Sequence, residues 1–210
     1  MDLYRMNFWQ ILLAGGAVMW PIILCSILAL AIVLERLRYF KAIKSDTQQF
    51  LGGILEQIKR HQIKEALQLC DKTSHPMAHI LKAGILKYDR PRSQIKEVME
   101  DAYLYAIPKL EKNLPALATI AHICPLLGFL GTATGMVRCF QAISIKAASL
   151  NTIAMADLSA GIWEALLTTV AGLVVAIPAY AAYNYLVSQV NNTILEMEKA
   201  SAELINFLAE

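Results

Sequence analysis

"GIWEALLTTVAGLVVAIPAYAAYN", residues 161–184, holds one glutamate and two adjacent threonines, and no further Asp, Glu, Lys or Arg follows until Glu196. A crossing helix needs roughly 20 mostly apolar residues, so the stretch reads as a membrane span with polar groups set into its first turns. The rest of the chain agrees. Of its 210 residues 57% are hydrophobic and 17% charged, where a soluble domain carries about a quarter charged. Two more stretches, 6–34 and 113–137, also lack Asp, Glu, Lys and Arg. The expectation is an all-α integral membrane protein with three transmembrane helices and a helical cytoplasmic domain.

The first apolar run continues past the length of a signal-peptide core, and a charged cluster follows it rather than a small-residue cleavage site. It is expected to be a retained anchor. Residues 1–19, with Trp9, Phe8 and Arg5, read as an interfacial segment. Spans are then expected at 20–40, 113–144 and 158–188, a cytoplasmic domain at 41–112, an outer hairpin at 145–157 and a cytoplasmic tail helix at 189–210. Fifteen of the nineteen Lys and Arg fall between Glu35 and Lys112, with Arg36, Arg38, Lys41 and Lys44 at the membrane edge. Cations favour the cytoplasmic side, so the N-terminus is expected outside and the C-terminus inside.

Within 41–112, Ser45-Asp-Thr-Gln48 fits a capping box and Phe50, Leu51, Ile54, Leu55 and Ile58 share a face, which predicts a helix over 46–60. Ile63, Ala66, Leu67 and Cys70 predict a second, ending at His75-Pro76, and Met77, Ile80, Leu81, Gly84 and Ile85 a third. From Ser93 the stripe Ile95, Val98, Met99, Ala102 runs into Leu110, Leu114 and Leu117 with no turn signal, predicting one helix that enters the bilayer, bent at Pro108 or Pro115. Cys70, His75 and His79 match no familiar zinc spacing, so no metal is expected. No cofactor motif is present, the net charge of +2 calls for no nucleic acid, and the four cysteines suggest no disulfide set.

The second and third spans carry the informative residues. In "PLLGFLGTATGMVRCF", Gly128, Gly131 and Gly135 share a face, the small-residue spacing that brings helices backbone to backbone. Gly161, Ala165, Thr168 or Thr169, Gly172 and Ala176 repeat the device. A threonine in such a helix can satisfy itself on its own i−4 carbonyl, but an intramembrane carboxylate such as Glu164 marks an ion path or a pairing partner by default.

These residues resemble a known family. "PLLGFLGTATGMVRCFQAI" followed by "LSAGIWEALLTTVAGLVVAIPAYAAYNYL" is similar to the paired signature of the MotA/TolQ/ExbB proton-channel family, and "LERLRYF" at the end of the first span is similar to its ExbB/TolQ branch. The resemblance implies a homopentameric bundle in the bacterial inner membrane, its second and third helices lining a pore. An ExbD/TolR-like single-span partner bears the proton-carrying Asp, and the complex drives a periplasmic transducer like TonB or TolA. It implies Thr132 and Thr169 as the pore threonines and Glu164 as the family glutamate; Thr168 is placed on the ion path beside them, and Gly128, Gly131, Gly135, Gly161, Gly172 and Pro178 are read as packing positions. The implied activity is ion-driven transport rather than enzyme catalysis. Arg138 and Thr168 are departures from the pattern and leave proton and sodium coupling both open.

Two other readings compete, a structural scaffold without ion flux and a flagellar-type MotA stator, the latter weakened by three spans rather than four. A final expectation concerns charge. If Thr132 and Thr169 lie at one depth, the helical rise puts Arg138 roughly 9 Å and Glu164 roughly 7.5 Å toward the outer face. The two are then placed to pair as a clasp at the outer mouth, against the alternative that Glu164 itself titrates.

Overall fold

The computed structural model of the chain describes residues 15–60, 62–73, 75–148 and 155–208. The expected interfacial segment lies outside them except for its end, as does the middle of the expected outer hairpin. Every regular element among the described residues is an α-helix: α1 Met19–Lys59, α2 Ile63–Lys72, α3 Pro76–Ile85, α4 Arg92–Leu110, α5 Leu114–Ala148 and α6 Met155–Leu208. Three of them, α1, α5 and α6, are long and apolar enough to cross a membrane. The chain divides into two compact units, one holding Pro115–Tyr183 with the described residues up to Val33, the other Leu34–Leu114 with the chain from Asn184 onward.

In the first unit the outward positions are apolar. Leu24, Ile27 and Leu30 on α1, Leu126, Phe129 and Val137 on α5, and Val170, Val174 and Ile177 on α6 are all exposed. Such a surface is costly in water and suits a hydrocarbon solvent. Gly16 takes φ +67° and turns the chain into α1, accepting a hydrogen bond from the Met19 N–H at 3.3 Å.

In the second unit α2 packs on α3 and α3 on α4, around Ile80, Leu81, Ile85, Ile95, Met99 and Leu204. Gly84 allows the close approach, since a Cβ there would lie 2.6 Å from Met99 Sδ and 3.3 Å from Leu204 Cδ2. His75 caps α3: its Nδ1 accepts from the Met77 N–H at 3.1 Å, Pro76 occupies the first turn, and the ring stacks on Phe50 at 6.1 Å. Burial first, then neighbouring Asp71, pushes the Cys70 thiol up to about 11 against the opposing pull of Lys82. Cys70 thus stays a protonated packing residue, His75 is committed to a cap, and His79 is exposed.

Two sequence expectations fail. No helix starts at Ser45, because α1 continues through it to Lys59. A capping box signals an N-terminus only where something ends the preceding helix, and 22–51 contains no Gly or Pro. Conversely, the expected single helix through Leu110 and Leu114 is two. The Glu111 N–H closes on Ile107 O at 3.0 Å, Leu114 N–H turns back to Glu111 O at 3.0 Å, and Asn113 sits at φ 64°, a left-handed conformation asparagine tolerates. The Asn113 amide donates to Glu35 Oε2 at 2.8 Å. Beside it the Arg36 guanidinium, only 2% exposed, donates to Lys109 O at 3.3 Å, where the last carbonyls of α4 favour a cation. Pro115 falls in the first turn of α5, where its missing N–H costs nothing.

Replacing Asn113 by Val is expected to lower stability by about 1–2 kcal/mol from left-handed strain alone, with Asn113→Gly milder. Thermal unfolding in detergent measures the order.

Candidate functional site

The site is built on the antiparallel seam between α5 and α6. A Cβ on Gly172 would lie 2.5 Å from the Cys124 carbonyl oxygen, one on Gly128 3.0 Å from Thr169 Cα, and one on Gly135 2.9 Å from Gly161 O. A Cβ on Gly161 would lie 2.9 Å from Cys139 Cβ, and one on Gly131 would run into the Thr168 side chain. Four of the five expected packing glycines therefore stand against backbone of the facing helix, and Gly131 against the Thr168 side chain. Pro178, by contrast, is exposed within α6 rather than packed in the seam; lacking an N–H, it interrupts the helix's own ladder there.

The threonines part company. Thr168 is fully buried against Gly131, its hydroxyl donating to Glu164 O at 3.1 Å and Ala165 O at 2.9 Å. Thr169 is half-buried and reaches across the seam: its hydroxyl lies 3.2 Å from Gly128 O and 3.2 Å from Ala165 O. Thr132, also half-buried, donates to Phe129 O at 2.6 Å. The Thr132 and Thr169 hydroxyls thus stand on the carbonyls of adjacent α5 residues, Phe129 and Gly128, close to one level.

One turn and a half further along α5, Arg138 forms an ion pair with Glu164 on α6. The glutamate side chain is 18% exposed and the arginine 54%, so the carboxylate is the sheltered member. Gly16 shelters it, because its Cβ position would overlap the Glu164 carboxylate and lie 3.2 Å from an Arg138 guanidinium nitrogen. The pair thus joins α5, α6 and the turn that precedes α1.

At the other end of the same seam stands a residue that charge counting passes over. His122 on α5 is exposed, and its ring meets Tyr180 on α6 edge to face at 6.1 Å. Its Nδ1 lies 2.7 Å from Ala118 O. Counting only Asp, Glu, Lys and Arg makes 113–137 look free of charge; counting histidine flags it.

Three helices long and apolar enough to cross a membrane, with threonines and a paired carboxylate along one tight seam, define the class: a helical membrane protein. A profile of the MotA/TolQ/ExbB proton channel family matches residues 72–199, and the chain belongs to that family. Relatives carry ExbB and TolQ names. The ExbB homolog of Methanothermobacter thermautotrophicus is 28% identical over 88% of this chain and 64% of its own length. The ExbB-like 1 protein of Synechocystis is 32% identical over 84% of this chain and 69% of its own length. The Tol-Pal system protein TolQ of Haemophilus influenzae is 30% identical over 89% of this chain and 87% of its own length.

The seam makes a sharp mutational contrast. Gly131→Ala presses on the Thr168 side chain down to its Cβ and is expected to cost on the order of 1–3 kcal/mol, partly recovered in the double variant with Thr168→Gly, which alone removes every atom in the way. Gly172→Ala presses on the Cys124 carbonyl, which no change at position 168 moves, so Thr168→Gly should restore nothing there. Unfolding midpoints in detergent separate the two.

Proposed function

We propose that this chain is the channel subunit of an ion-driven complex of the bacterial inner membrane. Its N-terminus is periplasmic and its C-terminus cytoplasmic, and five copies surround the spans of an ExbD/TolR-like partner. In this reading the partner's aspartate carries a proton past hydroxyls that donate to its charged form and accept from its neutral form, which threonine does without a charge of its own. The movement energises a TonB- or TolA-like transducer, in biopolymer transport or envelope maintenance. The observation that carries this is the placement of Thr132 and Thr169, two half-buried hydroxyls near one level on adjacent helices. Thr168, sealed inside one chain, is assigned to packing. A scaffold without flux has no use for such an arrangement.

Protons are the favoured ion. The geometry of Arg138 with Glu164 favours a structural clasp over a titrating relay, since pairing offsets most of the cost of a charge near the bilayer, roughly 2.5–3.5 kcal/mol at its centre and less toward the edge.

Reconstituted with its partner in vesicles, Thr132→Ala with Thr169→Ala should stay folded while proton uptake falls; each lost hydrogen bond of about 0.5–1.5 kcal/mol slows passage several-fold. Uptake equal to the parent protein would end the pore assignment. For the clasp, Glu164→Arg and Arg138→Glu should each lower assembly, and the double swap should restore it. If Glu164→Gln keeps assembly but loses uptake, Glu164 is the relay instead.

A further inference from the structure

We propose that His122, set against Tyr180, is the proton station at the inner mouth of the path, where protons pass between the pore and cytoplasmic water. The inference rests on the channel reading above and extends it to His122, which lies outside the quoted signature.

Position comes first. His122 lies ten residues from Thr132 along α5 and Tyr180 eleven from Thr169 along α6. At 1.5 Å per residue these are about 15 and 16.5 Å, in both cases away from the Arg138 and Glu164 end. The hydrocarbon core is about 30 Å thick, so with the threonines near its middle the imidazole stands at the inner boundary. Eleven residues at 3.6 per turn is close to three whole turns, so Tyr180 lies roughly 20° around α6 from Thr169, on the same face. If Thr169 lines the path, Tyr180 and the ring it touches line it too.

Chemistry comes second. A carbonyl oxygen can only accept, so the 2.7 Å contact between Nδ1 and Ala118 O requires the proton on Nδ1. In the neutral ring that leaves Nε2 as the acceptor, and the ring is exposed. A proton arriving from the path bonds to Nε2 and gives imidazolium, with Nδ1–H still on Ala118 O. Release from Nε2 to water restores the neutral ring unchanged, so one proton enters and one leaves. The Ala118 bond fixes the ring through the cycle. An ionisable side chain in a membrane helix faces an aqueous cavity or a partner as a rule, and the aromatic edge of Tyr180 supplies a wall without a competing charge.

The experiment uses the full complex in vesicles with a pH-sensitive dye. His122→Gln keeps a polar side chain but cannot take up the proton; uptake is expected to fall on the order of tenfold with unfolding midpoint and oligomer mass unchanged. External imidazole should restore a large part of it, which a purely structural histidine would not allow. His122→Gln with undiminished uptake overturns the proposal, as does a loss that imidazole leaves untouched. The failures are distinguishable: if the parent complex shows no uptake, the channel reading falls and this one with it. If Thr132→Ala with Thr169→Ala loses uptake while His122→Gln keeps it, only the station falls.

Discussion

Everything in the membrane unit depends on the backbone contact between α5 and α6. Hydrocarbon tails are as apolar as leucine, so helices in lipid gain nothing from mere burial and hold together by van der Waals contact and interhelical hydrogen bonds. Small residues supply the first by letting Gly172 reach the Cys124 carbonyl and Gly135 reach Gly161. Thr169 supplies the second through Gly128 O. Such contacts fix register as well as distance. Advancing along α5 from Cys124 to Gly128, Gly131 and Gly135 meets Gly172, Thr169, Thr168 and Gly161 in turn on α6. That sequence of meetings sets Arg138 opposite Glu164 at one end and His122 opposite Tyr180 at the other.

Where the physics is local to one helix face, the sequence was legible. Glycines three and four apart, a carboxylate amid apolar residues, and an arginine a computable distance away all pointed to contacts that the structure contains. Thr168 and Thr169 were not separable, because adjacent residues lie about 100° apart on a helix and only the facing helix decides which one is enclosed. The chain breaks were misread for a related reason. Ser45 carries a start signal in a region where no residue stops the preceding helix, so α1 runs on. Asn113 ends a regular stripe through its backbone and its bond to Glu35, neither of which periodicity records.

Charge near the membrane follows one rule at both edges of the first span. Arg36, nearly enclosed, is held by the Lys109 carbonyl at the end of α4 and by Glu35 at 3.6 Å, and lies 5.1 Å over the Tyr39 ring. Arg138 is held by a carboxylate that a glycine turn shelters. Each cation has a short-range partner that loses its value if the neighbouring helix shifts, so each fixes a joint as well as satisfying a charge. Arg36 ties α1 to the end of α4 within the second unit, and the Arg138 pair ties the α5 and α6 ends to the turn at Gly16.

These constraints bear on how the protein can work. The Cys124 carbonyl oxygen stands 2.5 Å from where a methyl on Gly172 would be, which leaves no room for α5 and α6 to slide or rotate against each other. A one-residue slip would separate Arg138 from Glu164 and His122 from Tyr180 together. The hairpin therefore moves as one body. Its outer faces carry no such constraint among the described residues, since Leu126, Phe129, Val170 and Val174 stand exposed there. A rigid seam with smooth flanks fits the channel subunit proposed above, in which hydroxyls held at fixed spacing face a moving partner.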